Sequence, residues 1–416
     1  MKTRNAFSRR KRPSLFVLAL LFLTARQLGA QTYVYLTEVP DYTWYAGCFG
    51  TACGNLLGFW DRHGLPDFYT GPAGGGVAPL DTCGSNLGIR SMWASKAGLD
   101  GRPANKPGHI DDYWRSYTID LQSCGLGDHF SYEDTAPDPY VSAGRPEHTP
   151  DCVGDFIGLS QNKWTNLANE CSGNIDAYSF VFWDKTGRRR NNYYQTNPPG
   201  VYIPDIQSGL KEWARYRGYD ADVFTQLTDF NPERTTTTGF TYDDVKAEID
   251  AGYPVLCFLQ PTTQFSRNLA PMPNANPDIH GVMIYGYITD SQSGVDNSVV
   301  IRTSWGSGDR IIMQWSASNW LGLFPVRGVI GFHPKPKVTR VARTSDSFTI
   351  SWDGPSSQLR DEIAGTTTDV HHYQVERSTT LNPAAFKAVG SITTGHTMSL
   401  PDCCDGMAFY RVKLIP

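Results

Sequence analysis

The feature that most constrains this fold is a cysteine placed before a helical pattern, combined with a histidine that opens a strand pattern far downstream. Cys48 lies in a small-residue turn, and residues 51–63 repeat apolar side chains at helical spacing until Gly64, a residue type that favours helix termination. His280 begins an apolar run that continues to residue 287. A thiol nucleophile needs a base that is close in space, whatever its separation in sequence. We therefore predict a fold that brings Cys48, at a helix N-terminus, to His280 on a strand.

The predicted position of Cys48 suits a nucleophile, because the partial positive charge at a helix N-terminus favours a thiolate over a thiol. The alternative for Cys48 is a half-cystine. Cys53 is a rival nucleophile, but it falls on the apolar stripe of the same predicted helix. A packed or disulfide-bonded cysteine is expected there.

The length and the charge of the chain limit the classes of protein to which it can belong. A chain of 416 residues exceeds what one hydrophobic core usually supports, so we expect a main domain and a smaller one. Apolar residues make up 40% of the chain and charged residues 19%, which is ample for a packed core. The formal net charge is −4 and gives no basic surface for nucleic acid. We expect no nucleic-acid partner.

Residues 1–30 have the pattern of a secretory signal peptide. Basic residues between positions 4 and 12 precede an apolar run over residues 15–23, and Gly29 and Ala30 provide a cleavage site. A membrane anchor is the alternative, but the apolar run is short for a bilayer. We therefore expect a secreted protein, either extracellular or periplasmic.

Nine cysteines in an exported chain leave at least one without an intrachain partner. If Cys48 is that one, up to four disulfides are predicted among the other eight. These are Cys53, Cys83, Cys124, Cys152, Cys171, Cys257, Cys403 and Cys404. Their spacing lacks the tight pairs of zinc modules, so we predict neither a metal nor a cofactor. His109, followed by two aspartates, could serve a metal or an acid–base site, but a solvated loop histidine is the simpler interpretation.

The rest of the chain divides into two predicted domains, residues 31–334 and residues 335–416. In the first, a long loop-rich section over residues 71–231 contains predicted helices at 155–171 and 206–216. A helix at 241–251 and strands at 254–259, 280–287 and 299–303 follow. Around residues 334–337, prolines alternate with His333, Lys335 and Lys337, as in a linker. Beyond them, alternating runs at 347–352, 372–377, 386–392 and 408–414 predict a small antiparallel sandwich.

These motifs resemble those of the papain-like cysteine peptidases, in particular the bacterial branch typified by bacteriocin leader peptidases. The resemblance depends on residues 47–52, on the helix followed by Gly-Tyr-Pro-Val at 252–255, and on His280 with Gly286-Tyr287 after it. Residues 300–306 resemble the closing strand of the family and its Asn-Ser-Trp-Gly signature. The resemblance implies an α+β, papain-like fold in which the helix carrying the nucleophile packs on an antiparallel sheet. It also implies a peptide or protein substrate.

Two positions differ from the family pattern. Thr303 stands where the family has an asparagine or aspartate that orients the histidine, and we predict that its hydroxyl accepts a hydrogen bond from the ring. Tyr42 stands six residues before Cys48, where the family has a glutamine. Its hydroxyl is predicted to donate to the oxyanion, together with the Cys48 main-chain amide.

The C-terminal segment resembles a fibronectin type III module, which implies contact with a cell surface or matrix. The predicted function of the whole chain is that of an exported cysteine peptidase. A catalytically impaired papain-like fold used for extracellular binding or adhesion is one alternative. A thiol-dependent amide transferase is another, because the same nucleophile and base would serve it.

Overall fold

The structure, a computed structural model, describes the chain between residues 32 and 415 with several gaps. The described residues are 32–42, 48–69, 76–81, 118–120, 129–131, 156–157, 182–183, 189–190, 206–228, 239–259, 265–267, 270–271, 280–289, 297–306, 308, 310–315, 326–401 and 407–415. The predictions for residues 1–30, for His109, for most of the 155–171 helix and for six of the cysteines lie outside these ranges. Those cysteines are Cys83, Cys124, Cys152, Cys171, Cys403 and Cys404.

The helices are α1 (Cys48–Arg62), α2 (Ile206–Tyr216) and α3 (Tyr242–Asp250). The strands up to the end of the main domain are β1 (Thr32–Leu36), β2 (Thr118–Asp120), β3 (His129–Ser131), β4 (Phe182–Trp183), β5 (Arg189–Arg190), β6 (Ala221–Leu227), β7 (Val255–Leu259), β8 (Phe265–Arg267), β9 (Ala270–Pro271), β10 (His280–Thr289), β11 (Ser298–Arg302), β12 (Ile311–Gln314) and β13 (Val326–Pro334). The remaining strands are β14 (Lys337–Arg343), β15 (Ser347–Asp353), β16 (Gln358–Asp361), β17 (Thr366–Asp369), β18 (His372–Ser378), β19 (Lys387–Thr393), β20 (Thr397–Pro401) and β21 (Phe409–Ile415).

One large sheet organises the main domain. Its strand order is β5-β4-β6-β13-β7-β10-β11-β12-β8-β9, and β1 joins it beside β10. Strand β10 pairs with β7 through residues 280–284 and with β1 through residues 286–289, so both partners share one of its edges. Every residue of β7 and all but the last of β10 are buried, as expected for strands covered on both faces. The protein is therefore of the α+β class.

Helix α1 packs its N-terminal turn against β10. Gly281 makes this contact possible, because a Cβ there would lie 2.6 Å from the ring of Phe49. Farther along, Leu56 and Leu57 are fully buried, and each contributes roughly 2 kcal/mol of burial free energy. The helix ends at Arg62, and Gly64 follows it with a φ of +94°, which suits glycine. The Leu65 amide donates to the Trp60 carbonyl in the hydrogen bond that closes a Schellman cap. The predicted helix and its stop are confirmed.

The predicted helix at 241–251 is also confirmed, and its capping explains its bounds. Thr241 is the N-cap of α3: its hydroxyl accepts from the Asp244 amide, and the Asp244 carboxylate accepts in return from the Thr241 amide. This capping box satisfies two main-chain donors that the helix itself leaves unpaired. The chain then passes through Gly252, at φ +89°, directly into β7.

The C-terminal segment forms two three-stranded antiparallel sheets, β14-β15-β20 and β19-β18-β21. Between them lies a core that includes Ile350, Trp352, Tyr373 and Val375. Strands β15, β18, β19 and β21 each fall within two residues of their predicted bounds.

This segment also contacts the large sheet and helix α1. Its hairpin of β16 and β17 leaves the sandwich and joins the main sheet, where β16 pairs with β1. In addition, the Gly354 amide donates to the Gly64 carbonyl at the end of α1. Lys335 and Pro336 alone separate β13 from β14, so this connection is too short to act as a flexible linker.

Two of the eight cysteines predicted to be available for disulfides are not bonded. Cys53 and Cys257 are free thiols, both buried, and Cys53 is the packed cysteine that was one of the two expectations for it. Cys53 lies on the inner face of α1, and Cys257 lies in the fully buried strand β7. Both behave as small apolar core residues. Within the described ranges, no helix is long and apolar enough to cross a membrane.

Candidate active site

Cys48 is the first residue of α1, and its side chain reaches the start of β10. Cys48 is a free cysteine, and the main-chain amides of Gly281, Phe49 and Cys48 lie close enough to its sulfur to lower its pKa. Burial raises the pKa of the Cys48 thiol from its ordinary value, and these three amides act in the opposite direction. Burial is the larger effect. The thiol is therefore protonated at neutral pH and needs a base to become a nucleophile.

His280, the first residue of β10, is buried with 4% of its surface exposed. Its Nε2 lies 2.7 Å from the main-chain carbonyl oxygen of Thr303. Because a carbonyl oxygen can only accept a hydrogen bond, Nε2 must carry the proton. Nδ1 is then the unprotonated nitrogen, which is what a base needs in order to take the proton of a thiol.

Burial lowers the pKa of His280 to about 4, against a smaller raising effect from the Thr303 carbonyl. The imidazole is therefore neutral at pH 7. A neutral thiol and a neutral imidazole form a general-base arrangement and not a preformed thiolate–imidazolium pair.

The ring of Trp305 stacks on His280, with 4.6 Å between ring centroids and 18° between ring planes. Two nearly parallel rings restrict rotation of the imidazole about its χ2 angle. They also keep water from the hydrogen bond between Nε2 and Thr303, which strengthens that bond. Trp305 thus covers one face of the predicted base.

The predicted role of the Thr303 side chain is wrong, although the residue does contact His280. Its main-chain carbonyl, and not its hydroxyl, is the partner of the ring. The hydroxyl accepts instead from the Trp305 amide at 3.4 Å. This local bond resembles the side-chain turns that serine and threonine make with the residue two positions on. The orienting group is therefore part of the backbone and carries no charge.

The predicted oxyanion role of Tyr42 is also inconsistent with the geometry. Its side chain is fully buried, and its hydroxyl donates to the carbonyl oxygen of Pro79 at 2.9 Å. A Cβ on Gly58 would lie 2.5 Å from that hydroxyl. Gly58 is about 15 Å along α1 from Cys48, since a helix rises about 1.5 Å per residue. Tyr42 is a structural residue, and its main-chain amide donates a hydrogen bond to Oδ1 of Asn55.

Three contributors to the site were missed by the sequence reasoning: Gly281, Ser304 and Trp305. Gly281 follows the predicted base directly and offers an amide to the thiol. Ser304 and Trp305 lie in the signature-like run at 303–306, but no spacing rule assigns them a contact with His280. Pairing between Met283 and Arg302, on β10 and β11, brings this run to the beginning of β10.

The described residues contain no group of three or more His, Cys, Asp or Glu side chains that could hold a metal ion. Comparisons of the chain with protein families, with curated proteins and with solved structures find no match.

Proposed function

We propose that this protein is a cysteine peptidase that hydrolyses peptide or amide bonds with Cys48 as nucleophile and His280 as base. One observation carries the proposal. A free thiol at a helix N-terminus lies beside the main-chain amide of Gly281, the residue that follows His280 in the sequence, and His280 donates through Nε2 to a fixed acceptor. The motif resemblance to papain-like peptidases, and the papain-like arrangement it implies, point to the same chemistry.

In the proposed reaction, Nδ1 of His280 accepts the Cys48 proton as sulfur attacks the substrate carbonyl carbon. A C–S bond forms, and the carbonyl oxygen becomes an oxyanion. The resulting imidazolium then protonates the leaving amine as the C–N bond breaks. Water, activated by the neutral imidazole, hydrolyses the thioester and restores the thiol.

The oxyanion needs hydrogen-bond donors, and the main-chain amide of Cys48, at the beginning of α1, would donate one hydrogen bond to it. The helix dipole adds partial positive charge at the same point. Tyr42 is left out of this mechanism because its hydroxyl already donates to Pro79. Each donor lost from such a site costs on the order of 3 kcal/mol in barrier.

The setting we propose is outside the cell or in the periplasm. Residues 1–30 support this as a secretory signal, and a peptide or protein would be the substrate. We also propose that the C-terminal sandwich, fibronectin type III-like in its motifs, contacts a cell surface or matrix.

The test is covalent labelling by a peptidyl epoxide that alkylates activated thiols, followed by mass analysis of the intact protein and of its peptides. We expect a single adduct on Cys48. Cys53 is an internal control, because it is a free thiol in the same helix with no exposed surface.

Cys48→Ala should abolish both labelling and peptide hydrolysis, whereas Cys53→Ala should leave labelling intact. His280→Ala should slow labelling by about a hundredfold or more, the usual contribution of a general base. Undiminished hydrolysis in Cys48→Ala, or an adduct found only on other thiols, would remove the proposal.

A binding or adhesion role is the second candidate, and the neutral resting state of both groups favours it. The pKa of the thiol is raised and that of the imidazole is lowered, so neither is ionised at rest. A protein that shows no labelling of Cys48 at any pH, yet folds cooperatively, would support this candidate over the first. An amide transferase would give the same labelling and differ only when an amine acceptor is supplied.

A further inference from the structure

Ser304 has a main-chain conformation that its surroundings must impose. Its φ is +67°, in the left-handed region that non-glycine residues seldom adopt. Within the described ranges, three other non-glycine residues have positive φ: Glu38, Asp67 and Asn297. All three are exposed, and asparagine and aspartate tolerate this region best. Ser304 is fully buried, so its conformation is fixed by contacts in the interior.

The unusual angle has a direct consequence for the orientation of His280. The peptide unit between Thr303 and Ser304 rotates as φ of Ser304 changes, and the Thr303 carbonyl is part of that unit. That carbonyl is the acceptor that lies 2.7 Å from Nε2 of His280. With φ in the ordinary negative region, the same carbonyl would turn away from the ring.

The Ser304 side chain holds this conformation in place. Its hydroxyl donates to the carbonyl oxygen of Gly281 at 3.3 Å. The turn is thus attached to β10 at two successive residues: His280 through the ring, and Gly281 through the backbone. Gly281 in turn offers its amide to the Cys48 thiol, so the turn, the base and the nucleophile share one connected network.

We propose that Ser304 is a positioning residue for His280. Its left-handed backbone, fixed by the hydroxyl bond to Gly281, aims the Thr303 carbonyl at Nε2 and so selects the tautomer in which Nε2 is protonated and Nδ1 is not. The consequence for catalysis rests on the proposed peptidase function. The effect on the tautomer does not, because it concerns the resting protein.

The first measurement is ¹⁵N NMR of protein labelled at histidine, with His280→Asn used to assign the His280 signals. At pH 7 we expect the wild-type ring to have a protonated Nε2 and an unprotonated Nδ1. In Ser304→Ala, which keeps the Cβ and loses the hydroxyl, we expect a mixture of both tautomers. Ser304→Gly loses the same bond, but glycine accepts φ +67° freely. It should stay closer to wild type.

The second measurement is steady-state kinetics on a fluorogenic peptide. We expect Ser304→Ala to lower kcat by about tenfold with little change in KM, the factor that one lost hydrogen bond produces. Ser304→Gly should lose less. The matched control is Ser378→Ala, which removes a buried serine hydroxyl in the C-terminal sandwich. It should change neither the tautomer nor kcat.

The inference is overturned if wild-type His280 has its proton on Nδ1, or if Ser304→Ala has the wild-type tautomer and kcat. Equal losses in Ser304→Ala and Ser304→Gly would support it and assign the effect to the hydroxyl. If wild-type protein neither hydrolyses peptides nor reacts with the epoxide, the proposed function fails. The NMR comparison still decides whether Ser304 positions the ring. Thermal melts of each variant show whether it is folded.

Discussion

Replacing Gly281 by alanine tests whether the close contact between α1 and β10 builds the candidate site. The added Cβ would lie 2.6 Å from Cδ1 of Phe49 and 2.8 Å from two further atoms of the same ring. Real Cβ atoms do not approach carbon that closely, so the ring or the helix end must move. Phe49 has little freedom, since it is buried and packs against Phe258 at 5.4 Å between ring centroids.

Overpacking of this kind costs about 1–3 kcal/mol, and we expect Gly281→Ala to lower the free energy of unfolding by that amount. The assay is urea denaturation followed by tryptophan fluorescence. Gly395→Ala is the matched control, because the nearest atom to its new Cβ is a threonine oxygen at 3.4 Å. Its cost should lie within about 0.5 kcal/mol of zero.

A double variant tests whether the Phe49 ring is the cause of the cost. In a Phe49→Leu background the aromatic ring is absent, so Gly281→Ala should cost at least about 1 kcal/mol less than it does in the wild type. Epoxide labelling of Cys48 should also be slower in Gly281→Ala, because displacement of the helix end moves the thiol away from the Gly281 amide. If Gly281→Ala is as stable as Gly395→Ala, or if its cost is unchanged without the Phe49 ring, the packing argument is refuted.

Three further predictions follow from burial and hydrogen bonding. Burial raises the pKa of Cys48 above its ordinary 9.0, so the rate of alkylation by iodoacetamide should rise with pH and have a single midpoint above pH 9. A rate that already levels off near neutral pH would reveal an ion pair instead. Burial lowers the pKa of His63 and His280 to about 4, whereas the unfolded chain takes up these protons near pH 6.5. Each should therefore remove about 3 kcal/mol of stability as pH falls from 6.5 to 4, and urea titrations across that window measure the slope. Tyr42→Phe deletes the hydroxyl that donates to Pro79 and should lower the free energy of unfolding by about 1–2 kcal/mol, while kcat stays within threefold of the wild-type value. A hundredfold loss of kcat in a folded variant would restore the oxyanion role of Tyr42.

The elements with strong local signals were predicted well. The helix ending at Gly64, the helix capped by Thr241 and the strand beginning at His280 all appear within three residues of their expected bounds. Caps, glycine stops and continuous apolar runs act over a few residues, so the sequence contains the whole signal. The predicted nucleophile and base lie on adjoining elements because the fold pairs the beginning of α1 with the beginning of β10.

The errors came from contacts between distant segments. Thr303 and Tyr42 were assigned roles from their side chains, yet one acts through its carbonyl and the other packs against Gly58. Side-chain chemistry can be read from a residue's identity, whereas the direction of a carbonyl depends on two backbone angles. The hairpin of β16 and β17 was missed for a similar reason, since its partner β1 lies at the opposite end of the chain.

Local sequence signals were enough to predict the bounds of two capped helices and of several strands, which thiol precedes a helix and which histidine opens a strand. These are local properties, set by spacing, caps and glycine stops. The contacts of the folded chain were needed to show that a backbone carbonyl holds the imidazole and that Cys53 and Cys257 are free thiols in the core. The same holds for the C-terminal segment, which completes the main sheet. Each of these results depends on which atoms meet across long loops, and that is settled by packing of the whole chain.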